Sequence, residues 1–144
     1  MSIKISLTNK IPKEREDILS IMKFSESVDC HSGILSNGLV QYNEKDIFEI
    51  WQINQPTTSE NFNNIFVSKS KNYMHGSIII DLKKSFEDNQ LTIIQSYKDF
   101  FSIAEKNNMR IIKIWHYFPQ LLKKYDNKKT NYALLCESRE VVYK

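Results

Sequence analysis

Tyr132, Cys136 and Arg139 stand at helical spacing near the C-terminus, and Trp115, His116 and Tyr117 run consecutively before Pro119. These six side chains are the ones best suited to hold a small carboxylate or aromatic ligand. The guanidinium of Arg139 grips carboxylates through paired, charge-assisted hydrogen bonds. Trp115 and Tyr117 offer ring faces on which a planar ligand stacks. His116 titrates near neutral pH, and Cys136 becomes a nucleophile where its thiol pKa is depressed. Each role has a plainer competitor. Arg139 also suits a helix end, where a cation complements the dipole and snorkels to water. Trp115 and Tyr117 also suit core or interface packing, and Cys136 a small core position. The carboxylates available as acids are Glu49, Asp81 and Glu137. Glu49 alternates with Phe48 and Ile50 and is expected to face solvent, and Asp81 to cap a turn.

Other chemistries are excluded by what the sequence lacks. Cys30 and Cys136 lie over a hundred positions apart, and His31, His75 and His116 are as scattered. No Cys/His spacing suits zinc, and no phosphate loop or nucleophile elbow is present. Only three glycines are available, too few for backbone cradles around phosphates. No metal and no cofactor is expected. The net charge is 20 − 17 = +3, and all but Arg15, Arg110 and Arg139 of the basic residues are lysines. Lys123, Lys124, Lys128 and Lys129 read as a solvated loop, so no nucleic-acid partner is expected. No apolar run reaches the roughly 20 residues that span a bilayer, and Met1–Lys10 holds no apolar leader. A cytoplasmic protein with no membrane partner is expected, its cysteines kept as thiols.

The elements that must position these residues follow from periodicity. With 144 residues, 41% hydrophobic and 26% charged, the chain suits one folded domain. Ile3, Ile5 and Leu7 alternate with polar residues as in a strand. Residues 17–24 are ambiguous between strand and short helix. Asn37-Gly38 predicts a hairpin turn. Strands are expected over 46–53, 61–68 and 75–82. From Asn89 to Asn107 the apolar residues Leu91, Ile94, Tyr97, Phe101 and Ala104 keep helical spacing, with Asn107-Asn108 as a left-handed stop. Residues 109–118 then predict a central strand, presenting Trp115 and Tyr117 on one side and His116 on the other. Thr130 is the expected cap of a last helix, on which Tyr132, Leu135, Cys136, Arg139, Val142 and Tyr143 share an apolar face. Strands first, then helix, strand and helix, give an α+β fold with helices packed on a mixed sheet.

Trp115-His116-Tyr117-Phe118-Pro119, and Tyr132 through Arg139 with Cys136 and Ser138, resemble motifs of the N-terminal domain of the chorismatase family. These are the chorismate hydrolases and 3-hydroxybenzoate synthases of bacterial secondary metabolism. Ile47-Phe48-Glu49-Ile50-Trp51 and Tyr73-Met74-His75-Gly76 are similar to further family segments, so the resemblance runs over residues 46–144. It implies a Rid (YjgF-like) fold, a mixed sheet backed by two helices, assembling as a homotrimer with ligand clefts between subunits. It also implies that the catalytic acid and most carboxylate contacts lie in a second domain, for which this sequence holds no positions. His116 stands where the family usually has Asn, and Ser138 where it has Gly. Two functions are therefore expected side by side. One is a stand-alone protein acting on or binding a small aromatic or carboxylate intermediate at a subunit interface. The other is a non-catalytic binding or assembly protein that completes a partner subunit.

Overall fold

The structure, a computed structural model, describes residues 2–13, 16–25, 28–31, 34–37, 46–118 and 120–144. It is α+β, with a mixed sheet and two helices, as the alternation of periods predicts. The chain divides into two compact units, Met1–Ile79 and Ile80–Lys144. No helix among the described residues is long and apolar enough to cross a membrane.

The first unit holds the strands β1 (Ile3–Thr8), β2 (Ile18–Phe24), β3 (Val28–His31), β4 (Ile34–Asn37), β5 (Ile47–Ile53), β6 (Thr58–Phe62), β7 (Ile65–Lys69) and β8 (Met74–Ser77). Five of them form a sheet in the order β1-β5-β2-β4-β3, and β6-β7-β8 form a second. The five-stranded sheet is mixed, because β2 runs parallel to β4 and antiparallel to β5. The ambiguous stretch 17–24 is thus a strand. Its first five residues, Ile18 to Met22, are all buried, and Ile18 and Ile21 pack with Phe48 and Ile50 of β5. That continuous run marks a strand covered on both faces, which periodicity alone does not separate from a helix. The strand expected over 61–68 is instead a hairpin, with Phe62 opposite Ile65 and Asn63 at φ 53° between them. Asparagine tolerates this left-handed conformation, so Asn63-Asn64 was a turn signal inside an apolar stretch. The turn expected at Asn37-Gly38 lies outside the described residues.

The second unit is built on α1 (Phe86–Lys106) and α2 (Asn131–Tyr143). Ser85 caps α1 by accepting a hydrogen bond from the Asp88 amide, and Thr130 caps α2 by accepting one from Ala133. Asn108, at φ 52°, is the left-handed stop that ends α1. Phe86, Ile93 and Tyr97 of α1 form a core with Leu134 of α2, against which Ile80, Leu82, Phe101, Ile114, Phe118, Tyr125 and Val142 pack. Buried Asn89 fastens the approach to α1. Its side-chain oxygen accepts from the Lys83 amide at 2.7 Å, and its amide group donates to the Lys83 carbonyl and the Tyr125 hydroxyl, each at 3.0 Å.

Among the described residues one expected strand is cut short, since that over 75–82 is strand only in β8, and another, over 109–118, is absent. Residues 78–82 continue beyond β8 without strand structure, and residues 109–118 form no strand. The apolar, β-branched composition is right for a strand, but a strand exists only where a neighbour supplies ladder hydrogen bonds. Both segments are held by side chains instead. Ile80, Leu82, Ile114 and Phe118 pack on the helix core, while Ile112 is 91% exposed.

Candidate functional site

α2 turns a different face inward from the one its apolar spacing suggests. The buried residues are Asn131, Leu134 and Ser138. Ser138 is fully buried, with its hydroxyl donating to the Leu134 carbonyl at 2.7 Å. Only a small side chain fits there, which accounts physically for serine at this position. The expected apolar stripe is therefore largely outside: Tyr132 is 58% and Tyr143 57% exposed, and Cys136 and Arg139 are exposed too. Arg139 is not a cation trapped in a core. It is a surface guanidinium with its Cζ 5.9 Å from the centre of the Tyr143 ring.

Around Arg139 the second unit gathers an aromatic and titratable cluster. The Tyr97 hydroxyl lies 2.6 Å from His116 Nε2. The Tyr97 ring meets those of Phe101, His116 and Tyr143 at 6.4, 5.9 and 5.9 Å between centres, and Phe101 meets Tyr143 at 5.8 Å. Tyr97 and Phe101 are one turn apart on α1, as are Arg139 and Tyr143 on α2, so each helix presents a pair.

The electrostatics of the cluster favour neutral groups beside one cation. Burial pushes the Tyr97 phenol up to about 12, reinforced by Tyr143 and opposed by Arg139. Partial burial lowers the His116 pKa, and the Arg139 charge lowers it further. At neutral pH the Tyr97–His116 bond thus joins a phenol to a neutral imidazole. Tyr97 is 4% exposed, and in the tautomer in which its hydroxyl donates to Nε2 the His116 proton sits on Nδ1. On the outer face of α2, a hydrogen bond with Cys136 raises the Tyr132 pKa, with the Cys136 charge and slight desolvation acting the same way and Arg139 opposing. Arg139 thus acts on Tyr97, His116 and Tyr132. Among the described residues no carboxylate forms an ion pair with it.

The structure therefore brings together His116, Arg139, Tyr132 and Cys136. Trp115 is 40% exposed, with Lys113 Nζ 4.9 Å from its ring centre, and Tyr117 is half-buried. Sequence reasoning placed Tyr97, Phe101 and Tyr143 only in packing stripes. A phenol inside an apolar stripe, facing a histidine that needs a partner, was the available signal for Tyr97. The carboxylates have partners or lie open. Glu49, half-buried, accepts the Trp51 indole N–H at 2.7 Å, Glu137 pairs with Lys129 at 2.7 Å, and Asp81 is exposed. No group of three or more His, Cys, Asp or Glu side chains among the described residues is placed to hold a metal ion.

In the first unit, Ser20 Oγ and His75 Nε2 lie 3.2 Å apart. Burial holds His75 down at about 4, and Ser20 is buried within β2. A serine so enclosed meets no substrate, so the pair is structural.

Comparisons with known proteins bear on the family and the fold. The family described as chorismatase FkbO/Hyg5-like, N-terminal, matches residues 49–144. A chorismatase crystal structure superposes with a TM-score of 0.72 at 13% sequence identity, over 98% of this chain and 44% of that one. At that identity the likeness is one of fold, and the chain spans less than half the length of the solved chorismatase. No curated protein matches the chain by sequence.

Proposed function

We propose that this chain, which belongs to the chorismatase FkbO/Hyg5-like N-terminal family, binds a small aromatic or carboxylate intermediate of secondary metabolism in the cytoplasm. One observation carries this: Arg139 is an exposed guanidinium over an aromatic ring, without a carboxylate partner among the described residues, next to a neutral His116. A ligand carboxylate pairs with Arg139, the Nδ1–H of His116 donates a second hydrogen bond, and the ligand ring packs on Tyr143 or Tyr132. Trp115, Tyr117 and Cys136 border the ligand, and the site is completed at a subunit interface in a homotrimer. These residues recognise an anion better than they protonate an enol ether, because a histidine with a lowered pKa is a weak proton donor at neutral pH.

A second reading stands beside the first: the chain holds the ligand while a separate catalytic subunit supplies the acid. Incubation with chorismate separates the two. Pyruvate release by the purified chain identifies autonomous cleavage. Binding without release identifies the partner-dependent form, and no binding at all rejects both.

A further inference from the structure

Residues Arg110–Ile114 have the composition of a strand and none of its pairing. Among the described residues none of these five makes a backbone hydrogen bond. Yet Ile111, Ile112 and Ile114 are β-branched, and Ile111 and Ile112 are both exposed, the latter at 91%. Open backbone donors beside exposed isoleucines are what an added strand needs. The surrounding charge has one sign. Residues 109–130 carry six basic side chains against a single acid, Asp126. Arg110, Lys113, Lys123 and Lys124 are exposed, and none forms an ion pair among the described residues.

We propose that Arg110–Ile114 is a docking strand for a partner protein, accepting an extended segment that alternates apolar residues with Asp or Glu. The acidic character follows from charge complementarity with Arg110 and Lys113. Unpaired backbone groups disfavour burial in lipid, where every N–H and C=O must be satisfied within the protein. A nearly fully exposed isoleucine gains nothing from phosphate, so a polypeptide fits this surface better than a nucleic acid does. The docking strand does not depend on the ligand assigned to Arg139.

The test uses the full chain and a short synthetic peptide alternating valine with glutamate, compared with the same peptide carrying lysine for glutamate. The glutamate peptide is expected to bind more tightly by at least about tenfold. It should also slow hydrogen exchange at the Ile111–Ile114 amides. The double substitution Arg110→Glu with Lys113→Glu, on exposed side chains, should reverse the preference between the peptides. Ile112→Pro, which removes a donor, should weaken the glutamate peptide without altering the helical circular dichroism. Equal affinity for both peptides, or unchanged exchange at those amides, overturns the proposal. So does exchange protection there by self-association, by a single-stranded oligonucleotide or by phosphatidylserine vesicles in place of the peptide.

Discussion

The Tyr97 hydroxyl and His116 Nε2, 2.6 Å apart, join α1 to the segment that follows it. Replacing Tyr97 with Phe removes this hydroxyl while keeping the ring packing on Phe101 and Tyr143. The expected loss of stability is about 0.5–1.5 kcal/mol, the net contribution of one such hydrogen bond. Nitrogen-detected NMR should find His116 protonated on Nδ1 in the native chain and mixed between tautomers in the variant. A wild-type proton on Nε2 would contradict the assignment.

Tyr97 also predicts alkaline behaviour. Its folded pKa, about 12, lies above the ordinary value of 10.0, so its contribution is complete below pH 10 and is lost as pH rises from 10 towards 12. Spectrophotometric titration should find a tyrosine step approaching pH 12, and Tyr97→Phe should remove that step.

His75 predicts the opposite limb. Its folded pKa of about 4 lies below the unfolded 6.5, so its contribution is complete above pH 6.5 and is lost as pH falls from 6.5 towards 4. A difference of that size corresponds to about 3 kcal/mol. Denaturant midpoints measured across this window should fall with acidity, and His75→Gln should flatten the fall. An unchanged acid slope in the variant would place the sensitivity elsewhere.

Much of the fold was legible in the sequence because its strongest signals are local. The helix of α1, its Asn108 stop and the Thr130 cap were read correctly, since each depends on residues a turn apart, although Leu91 of the expected stripe is 68% exposed. The strand at 109–118 was not, because strand composition is local and strand pairing is not. For the site, His116, Arg139, Tyr132 and Cys136 were visible by residue type. Their exposure was misjudged, because small buried Asn131 and Ser138 set the inward face of α2 in place of the larger apolar residues. Tyr97 and Tyr143 were hidden because their importance arises from contacts between helices.

Ser138 and Leu134 make that packing testable. Both are fully buried, so Leu134→Ala should cost about 2–5 kcal/mol through a cavity, and Ser138→Val about 1–3 kcal/mol through overpacking. Ser138→Gly should leave the helix contact intact and shift the midpoint of chemical denaturation far less than either. A Ser138→Val variant as stable as the native chain would show that the helices have room to spare.

The carboxylate site proposed at Arg139 is tested most directly by titrating the purified chain with chorismate in a calorimeter, beside Arg139→Ala. Binding by the native chain and an affinity loss of about 1.5–3 kcal/mol in the variant are predicted, the size of a charge-assisted hydrogen bond. Equal affinity in the two proteins, or no heat of binding in either, would contradict it.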